Sequence, residues 1–261
     1  MSASTTVARH ACAAIAVTTL LSASVWAQTA VPLFSSMQPG QTLPAPLREI
    51  TLAKIKPNRV SLVDDQGTTV LRVDSAQSGS TVALPLNIDP AATPQLSWRW
   101  KVSRAIDKAD MESKLGDDFA ARVYVFFDVP LASLSFIERS KVRLARALSS
   151  ADVPTAALVY VWDNTHPIGT MQSSPYTGLV KVVVLQSGAE RVGKWVSETR
   201  NIAADFRQAF GREAPQVTGI ALGNDTDQTA EAVSAWFGDF RFERTIAPNI
   251  APNIVPSIAP K

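Results

Sequence analysis

Ten short runs of alternating or continuously apolar residues, each bounded by Gly, Pro, Asn or Asp, restrict this chain more than any other feature. They lie at 59–63, 69–73, 81–84, 96–102, 119–127, 157–162, 179–186, 195–201, 217–222 and 236–242. A period of two with Val, Tyr, Trp and Phe is the mark of strands, and the bounding residues are turn formers. Helical spacing occurs in two stretches. Over 131–149 it places Leu134, Ile137, Leu144 and Leu148 near one stripe, and a shorter helix at 203–210 is stopped by Gly211. Neither spacing supplies the crossovers of a doubly wound parallel sheet. The expected fold is mainly all-β, an antiparallel, jelly-roll-like β-sandwich with one or two short inserted helices.

Alternation also sorts side chains between faces. In "LSWRWKV", Leu96, Trp98, Trp100 and Val102 share an apolar face, and Arg99 and Lys101 take the other. In "FAARVYVFFD", Val123, Val125 and Phe127 oppose Arg122, Tyr124 and Asp128. In "WFGDFRFE", Trp236, Phe240 and Phe242 oppose Phe237, Asp239 and Arg241, and Gly238 marks a bulge or a close approach. If these strands are neighbours, Arg99, Lys101, Arg122, Tyr124, Asp239 and Arg241 form one polar patch. Trp98 and Trp100 are core residues on this pattern. Trp162 and Trp195, near strand ends beside polar loops, are the tryptophans expected to stack on a ligand such as a sugar ring.

The ends of the chain carry different information. Arg9 and His10 precede the apolar run "ACAAIAVTTLLSASV", followed by Val25-Trp26-Ala27, the three-part pattern of a secretory signal cleaved after Ala27. Fifteen apolar residues fall short of the ~20 that cross a bilayer. Residues 1–27 are therefore expected to be a signal peptide, 28–46 an irregular N-terminal segment and 47–245 the sandwich. "IAPNIAPNIVPSIAPK", residues 246–261, repeats Pro every fourth position and predicts an extended, disordered tail. The expected location is periplasmic or secreted, with no membrane span after cleavage. Cys12, the single cysteine, lies inside the signal, so the exported chain needs its core for stability. Without Arg9 the 25 basic residues fall to 24 against 23 acids, which gives no electrostatic case for nucleic acid.

Candidate chemistry is narrow. With no cysteine after residue 12 and His166 as the single histidine beyond the signal, Ser–His–Asp and Cys–His catalysis have almost no material. "GNDTDQT" offers Asn224, Asp225, Asp227 and Thr229 as oxygen ligands for calcium, with "GDD" at Gly116, Asp117 and Asp118 able to add carboxylates. The same loop also reads as an Asx-rich turn without metal. A carboxylate pair for glycan hydrolysis would draw on Asp117, Asp118, Glu198 or Asp225.

Six blocks in order, "LSWRWKV", "GDDFAARVYVFFD", "LVYVWDN", "RNIAADFRQAFG", "GIALGNDTDQT" and "AWFGDFRF", resemble a bacterial family of exported proteins known as domain of unknown function 3047. The resemblance implies one domain of about this extent and brings no activity, cofactor or catalytic residue with it. The function expected from the residues is an exported, non-catalytic binding module for carbohydrate or another envelope component. Its ligand residues would be Arg122, Tyr124, Trp162, Trp195, Asp239 and Arg241. The alternatives are a carboxylate-dependent glycan-acting hydrolase and a calcium-stabilised structural envelope protein.

Overall fold

The alternation of "QLSWRWKV" has a direct structural counterpart: Leu96, Trp98, Trp100 and Val102 are buried, and the residues between them are half-buried on the other face. The computed structural model describes residues 31–148 and 154–244. The expected signal at 1–27, residues 149–153, and the expected Pro-rich tail at 246–261 lie outside the described residues.

Thirteen strands are formed among the described residues. In chain order they begin with β1 (Arg48–Thr51), β2 (Arg59–Asp65), β3 (Thr68–Ala76), β4 (Gly79–Ile88), β5 (Gln95–Val102) and β6 (Ala121–Phe127). Helix α1 (Phe136–Leu148) is followed by β7 (Ala156–Asp163), β8 (Met171–Ser174), β9 (Thr177–Ser187) and β10 (Val196–Asn201). Helix α2 (Ile202–Phe210) precedes β11 (Val217–Asp225), β12 (Ala232–Phe237) and β13 (Arg241–Glu243). The larger sheet runs β1-β4-β11-β6-β7-β9-β8. The smaller runs β10-β5-β12-β3-β2, with β13 also on β5. The fold is thus a mainly β sandwich with two helices. Its one parallel pair among the described strands is β7 with β9, because the chain between them turns back through β8, which flanks β9 on its far side.

The main core fills the space between the sheets, with Trp98 stacked on Phe240 at 5.8 Å and Trp100 beside Trp162 at 6.0 Å. A second cluster lies outside the larger sheet, where Met111 and Phe119 from the β5–β6 loop cover Val159, Val161, Val182 and Val184. Strand β7 is consequently buried on both faces, which is why its sequence is apolar without alternation. Phe34 and Met37, in the segment expected to be irregular, are buried in the main core and anchor a short 3-10 turn, Phe34–Ser36.

Three local expectations differ from the structure. The helix expected over 131–149 begins at Phe136, because a 3-10 turn, Leu131–Ser133, comes first and Ser135 and Glu138 form a capping box at 2.7–3.3 Å. Ile137 on its expected apolar stripe is 67% exposed, while Leu134 and Val142 are buried. Leu144 and Leu148 have side chains outside the described residues. Strands β1 and β8, "REIT" and "MQSS", escaped the pattern because they are polar edge strands. The run 236–242 is two strands: β12 ends at Phe237 and β13 starts at Arg241. Among the described residues, no helix is long and apolar enough to cross a membrane.

Candidate functional site

The break between β12 and β13 builds the first candidate site. Trp236 faces outward on the smaller sheet and Phe237 inward, the reverse of the alternation drawn across the whole run. Three irregular residues then restore Phe240 to the core and place Asp239 and Arg241 at the outer surface. A Cβ on Gly238 would stand 2.6 Å from Cγ and 2.7 Å from Nε of Arg99, so glycine here makes room for the arginine stem. Gly238→Ala is expected to cost about 1–3 kcal/mol by overpacking. In an Arg99→Ala background that cost should disappear in paired thermal melts, since the clash is with Arg99 itself. Equal costs in both backgrounds would refute the contact.

Beside this break lies a groove of about 350 Å³ on the outer face of the smaller sheet. Thr68, Ser97, Ser197 and Thr199 supply hydroxyls, and Arg99, Asp239 and Arg241 supply charge. The register Arg99↔Ser197 and Ser97↔Thr199 sets these side chains in rows on one face. Asp239 is held by Ser35, from its backbone N–H at 3.0 Å and its hydroxyl at 2.7 Å, and by Arg241 at 3.2 Å. The Arg99 guanidinium stacks 4.4 Å over Trp195 and has no carboxylate partner among the described residues. Trp195 is fixed in turn by its indole N–H, which donates to Asp65 at 2.8 Å. Lys101 pairs with the same carboxylate at 2.5 Å and lies over both Trp195 and Trp236, at 5.1 and 4.7 Å.

Trp98 and Glu198, the residues between the outward-facing ones, complete the groove floor. The Glu198 carboxyl turns the other way, between the sheets, where it accepts from Trp100 at 3.2 Å and Gln186 at 2.8 Å. Burial raises its pKa above the ordinary carboxylate value, against the effect of those two hydrogen bonds.

The second candidate site lies on the larger sheet, so the single polar patch expected from the sequence is divided between the two sheets. Arg122 and Tyr124 are on β6, with a hydrogen bond of 3.1 Å from the guanidinium to the phenol. Arg122 also pairs with Asp225 at 2.6 Å, approaches Asp117 at 3.6 Å and donates to the Asp117 carbonyl. Asp225, at the end of β11, accepts from the Phe119 N–H at 3.0 Å through its other oxygen. Asp118 is fully buried, and one of its oxygens accepts from the N–H groups of Gln228 and Thr229 at 3.1 and 2.7 Å. Gly79 abuts the cluster: a Cβ there would stand 3.0 Å from Asp227 Oδ1, a tight contact.

Acid outnumbers base in this centre. Asp225 is pushed up to about 7, chiefly by burial, with Asp118 and Asp117 adding to the effect and Arg122 opposing it. Burial likewise raises Asp117 and Asp227, and Asp118 raises both further. Burial disfavours the Arg122 charge, but Asp225 and Asp117 outweigh it and hold the guanidinium protonated.

The remaining expected ligand residues are placed elsewhere. Trp162 is 1% exposed, because it points between the sheets into the main core beside Trp100, and its indole N–H donates to the Gly188 carbonyl at 3.1 Å. Asn224 is turned between the sheets: its amide donates to the Val73 and Val233 carbonyls at 3.1 and 3.3 Å, and Asn58 donates to its oxygen at 3.2 Å. His166 caps a turn on Asp163 at 3.0 Å. Arg99 is the groove residue that sequence reasoning set in the polar patch without assigning it a ligand. Its signal was the neighbouring Gly238.

The profile of a family described as "Protein of unknown function (DUF3047)" matches residues 45–241. The chain belongs to this family. A search of curated proteins gives no match. Among solved structures, endoglucanase 3 of family GH12 from Trichoderma harzianum aligns with 78% of this DUF3047 chain and 100% of its own, at 8% identity and TM-score 0.38. The family 30 carbohydrate-binding module of a Clostridium thermocellum cellulosomal cellulase aligns with 82% and 96%, at 11% identity and TM-score 0.33. The xyloglucanase domain of NopAA from Sinorhizobium fredii aligns with 78% and 100%, at 11% identity and TM-score 0.37. Scores and identities this low do not bear on what the DUF3047 chain does.

Proposed function

We propose that this protein is an exported glycan-binding module whose ligand lies in the groove on the smaller sheet. The observation that carries this is Arg99, a guanidinium stacked on Trp195 at the wall of a hydroxyl-lined groove, with no carboxylate partner among the described residues. Hydroxyl rows suit a polyhydroxylated ligand, and an arginine stacked on an indole is preorganised to grip a carboxylate. Arg99 and Arg241 against Asp239 leave the groove one positive charge in excess, which favours a saccharide bearing uronate groups. Hydrolysis by a carboxylate pair is less well supported. Glu198 points away from the groove and Asp239 has both oxygens engaged, so no two carboxyl groups flank it.

The test is calorimetric titration of the full chain with neutral and uronate-containing oligosaccharides of equal length. Arg99→Ala is expected to weaken binding of the acidic series about 10–100-fold, the worth of one charge-assisted hydrogen-bonding group, with an unchanged melt. Binding that survives Arg99→Ala undiminished, or release of reducing ends on incubation, would sink the proposal.

A further inference from the structure

On the larger sheet, away from the groove, three carboxylates converge from two loops distant in sequence. One oxygen from each of Asp118, Asp225 and Asp227 lies within 4.8 Å of the others. Clustered acids alone mean little, but the polar atoms around them are incomplete. Asp118 is fully buried, and its second oxygen, Oδ1, has no hydrogen-bond partner among the described residues. The Thr229 hydroxyl is buried and unpartnered as well, although the backbone N–H of the same residue is bonded to Asp118. A buried acceptor without a donor costs about 1–3 kcal/mol, and a carboxylate more, so two on adjoining loops are expected to be satisfied by something.

The geometry points to a calcium ion held by Asp118, Asp225 and Asp227 between the loop ahead of β6 and the β11–β12 loop, with the Thr229 hydroxyl as a further oxygen ligand. All of these donors are oxygens, which selects a hard cation over zinc or copper. The oxygens that already accept hydrogen bonds in Asp225 keep a second lone pair for an ion. Asp227 is part-exposed and offers the path from solvent. Arg122 balances one of the four carboxylates, Asp117 included, and a divalent ion balances two of the three that remain. The loop is held for this task by a buried hydroxyl relay, in which Thr226 bonds Ser75 at 2.7 Å and its backbone N–H reaches the Ser78 carbonyl at 2.9 Å.

The experiment uses the full chain, stripped with chelator and titrated with calcium chloride by calorimetry and by thermal unfolding. One ion should bind per chain, and at about 100 times Kd the melting temperature should rise by about 5–10 °C. Asp118→Asn and Asp227→Asn should each abolish the heat and the rise, while their melts in chelator stay at or above the parent's. Should Asp118→Asn fail to fold, Asp227→Asn, at the more exposed position, carries the test. No heat and no shift would overturn the assignment, as would a response that survives both substitutions, or one given by magnesium and not by calcium. The glycan groove lies on the other sheet and stands or falls separately.

Discussion

Replacing Arg122 by methionine is expected to lower the melting temperature of the chelator-treated chain by about 10 °C. Methionine keeps much of the stem that lies against Phe119, where the guanidinium carbon is 4.5 Å from the ring centre, so the loss is mainly of charge. Asp225 would then be left beside Asp117 and Asp118 without its 2.6 Å partner. Removing one member of a buried pair costs about 3–5 kcal/mol, since the remaining charge stays desolvated. For a chain of this size that is roughly 2–4 °C per kcal/mol. Asp225→Asn in the same background should restore most of the loss, because the second substitution removes the uncompensated carboxylate. If the double variant melts no higher than the single, the cost lies in packing and this account of the centre is wrong.

Asp205→Ala should be comparably severe. Its carboxylate, at the start of α2, accepts the Tyr160 hydroxyl at 2.7 Å and the Arg200 guanidinium at 2.6 and 2.9 Å. It therefore ties β7, β10 and α2 together at one point of the core. Truncation leaves a fully buried hydroxyl and a half-buried guanidinium unpaired, for a cost of about 3–5 kcal/mol. The same contact sets a pH dependence. Burial raises the Tyr160 pKa well above the ordinary value, and the Asp205 charge raises it further. Above about pH 10 the unfolded chain releases this proton and the folded one keeps it, so stability falls as pH rises. Urea midpoints of Tyr160→Phe measured from pH 8 to 11 should decline less steeply than those of the parent. Parallel declines would show that Tyr160 does not contribute.

The parts of this protein that were legible in the sequence are those set by residues a few positions apart. Inner and outer faces of β5 and β6 followed from alternation, since successive side chains of a strand must point to opposite sides of a sheet. The end of helix α2 followed from Gly211, left-handed at φ 68°, whereas its start was set by Asn201, whose side chain caps the Ala204 N–H at 2.9 Å. The acids of both loops that meet at the Arg122 cluster were visible as candidates, Asp118 among them.

What the sequence could not supply was adjacency between strands and the accounting of each polar atom. Arg122 and Arg99 carry the same local pattern, yet one strand joins the larger sheet and the other the smaller, so the expected patch became two sites. Trp162 and Trp195 look alike beside their polar loops. The opposite sheet, with Trp100 at 6.0 Å, buries the first, while the second stays half-buried at the outer face under Arg99. Asn224 and Asp225 are consecutive, and strand alternation sends one between the sheets to Asn58 and the other to Arg122. A short motif alone thus determined which residue types were on hand. Which of them meet was decided by packing that brings positions more than 100 residues apart, such as Asp118 and Thr229, within hydrogen-bonding distance.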